Sequence, residues 1–249
     1  NYYRLLSNVK EMLVASERAQ DVNYQAIALT LNAWIYSNLT DCFGDIPMEE
    51  ASRGEEGIFK PKFNTQQEVY TKILADLERA NTLYDVSKPM IYATDILYAN
   101  NITAWRKFTN SLRLRLLLRV SKRTEMGSFA KMAAIFNNPT ANPIFTTLND
   151  GAVLKLNGIT PTVSPWGRAI DFTTFRATGG FFLDNLNAFN DPRRAKWNTF
   201  SRTTAGASTN TYQGIPSGYS PNDPAPNYQP SNFSIALATA PMICLVMTY

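Results

Sequence analysis

The chain has 249 residues, 45% hydrophobic and 18% charged, which fits a folded chain with a sizeable core and lies outside the disordered and collagen-like ranges. Lys and Arg number 24 against 20 Asp and Glu, and the net charge of +4 carries no block of like charges, so nucleic acid is not an implied partner. Histidine is absent, which excludes Ser-His-Asp and Cys-His catalysis, histidine-ligated zinc and an imidazole general base.

From the N-terminus to about Asn138 the apolar residues recur at helical spacing. Leu5, Leu6, Val9, Met12 and Leu13 predict a first helix. Tyr24, Ile27, Ala28, Leu31, Trp34, Ile35, Leu39 and Cys42 predict a second, ended by Gly44-Asp-Ile-Pro47, where Gly44 tolerates a left-handed backbone and Pro47 cannot continue the helix. Thr65-Gln-Gln-Glu68 has the form of a capping box, in which hydroxyl and carboxylate satisfy each other's free amides. The helix it opens carries Val69, Tyr70, Ile73, Leu74, Leu77 and Ala80.

A fourth helix is expected over about Thr103 to Lys122 and a fifth from Ser128 to Phe136. The leucines of the fourth cover most of its circumference, leaving one arc for Arg115, Arg119 and Lys122, so that helix should be central. The interleaving of these basic residues with leucine is core patterning and not a phosphate-facing stripe. Arg113 falls outside the polar arc and is expected to be buried and held by a carboxylate or by carbonyls. Paired helices of this kind suggest a tetratricopeptide-like stack over residues 1–138.

Beyond Asn138 prolines and polar residues break the chain into loops and short elements. One helix is expected over about Gly180 to Asn190, closed by Asn190-Asp-Pro192. Thr203 to Ser231 lacks periodicity but retains Tyr212, Tyr219 and Tyr228, the texture of a binding surface. The chain closes on an apolar run from Pro241 to Tyr249. That run falls short of the about 20 residues a bilayer needs and reads as a buried strand or a helix start.

The two cysteines, Cys42 and Cys244, read as small buried hydrophobes, and with no CxxC spacing neither zinc nor a disulfide framework is implied. The chain opens on Asn1-Tyr2-Tyr3 without initiator Met or signal-peptide pattern, and neither end reads as natural, so a longer, C-terminally truncated protein is expected. Residues 139–249 are expected to form a loop-rich region with short helices, packed on the scaffold as one unit.

Four segments, in order, carry a resemblance to a known family. Ala28 to Pro47 looks like a long helix ending in a Gly-Asp-x-Pro turn. Gln67 to Ala80 resembles a YxxIxxDLxxA helix, Ala104 to Arg115 a WxKFANSLRLR helix, and Asn190 to Arg193 a DPR turn. Together they resemble the SusD/RagB-like nutrient-binding proteins of the Bacteroidetes outer membrane. The resemblance implies a mainly α, tetratricopeptide-like scaffold with an irregular ligand-binding region. It further implies lipid anchoring on the extracellular face of the outer membrane and a SusC-like TonB-dependent transporter as partner. The ligand implied is an oligosaccharide or, in some members, a peptide.

Sugars offer flat C–H faces ringed by hydroxyls, which aromatic platforms and a polar rim capture. The candidates in the second half are Trp166, Phe172, Trp197, Tyr212 and Tyr219, with Asn210 and Arg202 as polar partners. No cofactor or metal is expected. Carboxylate-only glycoside hydrolysis would need two acids flanking a cleft. Asp171, Asp184 and Asp191 form no paired-acid motif, so the expected protein binds without catalysing. The alternatives are a peptide-binding member and a helical-repeat scaffold that contacts only the transporter.

Overall fold

In the computed structural model the chain is described for residues 2–156, 177–220, 222–234 and, as backbone, 242–247. It divides into two compact units, Asn1–Val153 with Leu245–Tyr249, and Leu154–Cys244.

The first unit is a stack of helices: α1 (Tyr2–Ala19), α2 (Val22–Phe43), α3 (Gln66–Leu83), α4 (Ile102–Arg119) and α5 (Ser128–Phe136). Each packs on its predecessor, and α2 also meets α4. The paired arrangement is tetratricopeptide-like, as the sequence predicts. Asp21 caps α2 by accepting the N–H groups of Asn23 and Tyr24. Thr65 and Glu68 form the expected capping box at the start of α3. Gly44, at φ 72°, ends α2 by donating its N–H to Thr40 O.

Residues 26 to 30 of α2 are buried in succession, because α1, α3 and α4 all lie against this helix. α4 shares the centre, though it stops at Arg119, short of Lys122, and leaves Leu118 exposed. Thr30, Thr109 and Tyr84 form a buried hydroxyl triangle between α2, α4 and the end of α3, with Thr30 and Thr109 oxygens 2.7 Å apart and Tyr84 Oη 3.0 Å from Thr109. Burial there pushes the Tyr84 phenol up to about 12. Arg113 is buried and donates to Glu78 at 2.8 Å, as expected. Cys42 corrects its expectation: it stands exposed near the end of α2, because its neighbours Asp41 and Phe43 share the exposed turn.

The polar residues of α4 hold loops. Trp105 Nε1 donates to Asp95 at 2.8 Å. Asn110, fully buried, donates to Asn81 Oδ1 and to the carbonyl of Pro143. Ser111 Oγ accepts the N–H of Phe145, whose ring stacks on Phe108 with centroids 6.4 Å apart. These bonds draw the chain after α5 back over the core, and Phe145 and Ala152 are buried with the helices. The pairing Ile46↔Asn64 closes the loop between α2 and α3.

The second unit holds α6 (Gly180–Ala188), α7 (Arg194–Trp197) and the antiparallel strands β2 (Arg202–Thr203) and β3 (Tyr228–Gln229), registered Arg202↔Gln229 and Thr203↔Tyr228. The short α7 was not foreseen, having less than two turns to show a period. β1 (Ala152–Leu156) pairs with β4 (Met242–Met247) in a two-stranded sheet, so residues 242–247 of the apolar run form a strand.

Lys107 and Asp150 form an ion pair between α4 and the segment before β1. Asp150 accepts Lys107 Nζ at 2.7 Å and the N–H groups of Thr146 and Thr147 at 2.8 and 3.0 Å. Burial pushes this carboxyl upward, but the ammonium and the amides outweigh it and hold it well below the usual carboxylate range. Asp150→Asn should therefore cost about 1.5–3 kcal/mol at neutral pH, read from the urea midpoint. A depressed folded-state pKa gives stability that is full above the ordinary carboxylate value and lost as pH falls. The gap between the two proteins should accordingly narrow below about pH 4.

Candidate functional site

The helix α6 ends in a Schellman motif. Asn190, at φ 47°, donates to Asn187 O, and Asp191 donates to Leu186 O. Asp191 then accepts both the backbone N–H and the guanidinium of Arg193, with the shortest contact at 2.5 Å. These bonds from Arg193 hold the Asp191 carboxyl down at about 2. The turn role expected for Asp191 is what the chain shows, and the turn aims two consecutive arginines at two aromatic pairs.

Arg193 lies over the ring of Trp197, 5.0 Å from its centroid, and that ring stacks on Phe182 at 6.2 Å and 15°. Arg194 lies 5.7 Å from the ring of Tyr212, which meets Phe200 at 4.8 Å. Arg194 is held by the amide oxygens of Asn190, at 2.7 Å, and Asn187, at 3.4 Å. Asn187 is itself anchored, donating to the carbonyl of Tyr212 at 2.9 Å.

Between these groups opens a cleft of about 580 Å³, lined by Asn187, Arg194, Phe200, Asn210 and Tyr212 together with Ala195 and Thr211. Aromatic faces form part of its wall, and amide, hydroxyl and guanidinium groups supply the donors and acceptors. The clefts among the helices of the first unit offer fewer aromatic faces, and some of their charged side chains are spent on one another. Lys72 pairs with Asp76, and Arg119 with Asp41 at 3.1 Å.

Of the predicted site residues, Asn210 and Tyr212 line this cleft. Asn210 is exposed in a left-handed turn at φ 55°. Trp197 is half-buried beside Phe182 and Arg193 and does not line it. Arg202 stands exposed on β2, and Tyr219 turns its hydroxyl towards Asp223 O at 3.5 Å, both outside the lining. Trp166 and Phe172 lie outside the described residues. Asn187, Arg194 and Phe200 were not foreseen. The three-residue spacing of Arg194, Trp197 and Phe200 after the DPR turn was the available signal.

Hydrogen bonds knit the walls together more than apolar burial does. Thr178 Oγ1 donates to Asn198 Oδ1 at 2.7 Å, and the fully buried Ser201 hydroxyl contacts those of Thr209 and Thr211. Gly180 donates to the carbonyl of Ile215 at 2.6 Å, a close approach that Gly214 makes room for.

A pair-wise helical stack followed by a loop-rich unit with an aromatic and amide-lined cleft defines a tetratricopeptide-like helical class. A family model described as "Starch-binding associating with outer membrane" matches residues 1–249, and the chain belongs to this SusD-like family. Among solved structures, a Bacteroides vulgatus outer-membrane protein linked to nutrient binding shares 28% identity over 80% of this chain, with a TM-score of 0.71. A SusD homologue from Bacteroides fragilis, 24% identical, is matched over the whole chain at 0.75. A chitin-binding protein, 22% identical, is matched over 98% at 0.74. The chain spans 43%, 55% and 53% of the lengths of these three structures. No curated protein shows a significant match. Among the described residues no helix is long and apolar enough to cross a membrane, and no group of acidic or cysteine residues could hold a metal ion.

A Cβ placed on Gly214 would lie 2.6 Å from the Cα and N of Gly180 and from the carbonyl oxygen of Thr178. Those are backbone atoms and cannot swing aside. Gly214→Ala should destabilise the protein by about 1–3 kcal/mol, seen as a lowered thermal midpoint.

Proposed function

We propose that the chain captures oligosaccharides at the bacterial cell surface as the binding component of an outer-membrane nutrient-uptake system. It would hold its ligand by contact alone and pass it, chemically unchanged, to a SusC-like TonB-dependent transporter. Attachment would be by a lipid anchor on the extracellular face. The family supports nutrient binding at the outer membrane, and the chitin-binding relative extends the range of candidate ligands to β-linked amino sugars.

The observation that carries the reading is the cleft of Phe200 and Tyr212 with Asn187, Asn210 and Arg194. An aromatic face gains dispersion and CH–π contact from a pyranose ring while the amides pair with its hydroxyls. Among the described residues the cleft lining holds no carboxylate, and so shows no acid pair of the kind glycoside hydrolysis requires. The chain has no histidine to substitute for one.

Calorimetric titration with malto- and chito-oligosaccharides tests this. Binding is expected for at least one series, and Tyr212→Ala should weaken it about tenfold, the loss of one stacking platform. Unchanged affinity in both Tyr212→Ala and Phe200→Ala would remove the cleft from the reading. Heat released only on adding peptides would replace the ligand class, and hydrolysis of the glycan would end the non-catalytic assignment.

A further inference from the structure

Arg193 and Arg194 are neighbours in sequence, and only the first makes an ion pair with Asp191. Arg193 is neutralised by Asp191, which meets its guanidinium through both carboxylate oxygens. Arg194 makes its side-chain hydrogen bonds to neutral amides, the Oδ1 atoms of Asn187 and Asn190, and feels the Asp191 carboxylate only at longer range. Among the described residues no carboxylate lies within ion-pair distance of it. These two bonds leave part of its five-donor fork uncommitted, and among the described residues Arg194 is the one charged member of the cleft lining. A guanidinium held rigidly by neutral groups keeps its full charge and has already lost the rotational freedom that binding would otherwise cost.

We infer that the cleft selects a carboxylated sugar, a uronic acid unit being the simplest case, with the ring against Tyr212 or Phe200 and the carboxylate on Arg194. This rests on the glycan-capture reading and narrows its substrate class. The planar fork of arginine matches a planar carboxylate through paired, charge-assisted bonds. A neutral pyranose would leave that fork without a charged partner.

The test compares tri-galacturonate with maltotriose by calorimetry on the full chain. Wild type should favour tri-galacturonate by about tenfold or more, the effect of charge-assisted hydrogen bonds, with the advantage shrinking as NaCl is raised. Arg194→Gln should bring the ratio of the two affinities close to one. Asn190→Asp offers an independent check. It keeps an oxygen in place of the one 2.7 Å from Arg194, tolerates the left-handed backbone and cancels the charge, so the ratio should collapse while the thermal midpoint stays near that of wild type. A wild-type ratio near one, with maltotriose binding that still depends on Tyr212, would overturn this inference and leave glycan capture standing. A ratio that survives both substitutions would overturn it as well. Failure of every glycan to bind would remove the capture reading, and this one with it.

Discussion

A polar group taken out of water has to be given a partner, and in this protein the partners are supplied mainly by segments distant in sequence. Asn110 shows the consequence most directly. It is completely buried on α4 and satisfies its amide N–H groups with Asn81 of α3 and with the carbonyl of Pro143, while its Oδ1 has no hydrogen-bond partner among the described residues. Arg106 joins from the same helix, donating to Asn81 Oδ1 and to the carbonyl of Ala141. The segment after α5 is thereby bound to two helices at once, and its Phe145 can reach Phe108. If one of these amides is removed, the others are left unsatisfied in the interior, so the polar set acts as a unit.

The same rule organises the second unit, where few of the described apolar side chains are buried. Thr178, Asn198, Ser201 and Ser231 are buried there beside Leu183 and Leu186. Their bonds join the start of α6, the end of α7 and the strands and bridges that follow. The cleft is a by-product of this lacing. Asn187 faces Tyr212 because its amide needs the Tyr212 carbonyl, and Arg194 faces the cleft because the Schellman end of α6 brings Asn190 beneath it. A rigid, hydrogen-bonded frame lowers the entropy cost of holding a ligand.

The family motifs acquire distinct physical meanings once the contacts are known. In the helix Ala104 to Arg115, Trp105, Lys107, Asn110, Ser111 and Arg113 bond to Asp95, Asp150, Pro143, Phe145 and Glu78 respectively. That motif is a record of folding constraints and says nothing directly about a ligand. The DPR turn is different, since it sets the direction of the residue that follows it, Arg194. A structural motif thus places a residue that the motif itself does not include.

The sequence by itself determined the long helices, the cap that opens α3, the end of α2 and the burial of Arg113, because hydrophobic periodicity, Thr65 with Glu68 and the position of Gly44 are local properties of the chain. It also carried the family resemblance, for the polar residues of α4 keep their spacing along one helix. Its reading of Cys42 as buried failed because an apolar stripe does not reveal where a helix emerges from its neighbours. Which aromatics meet was decided only by the tertiary structure: Tyr212 joins Phe200 and Arg194, while Trp197 turns to Phe182. In a segment without periodicity, side-chain direction follows from hydrogen bonds between residues up to some tens of positions apart, and no local pattern encodes those partners.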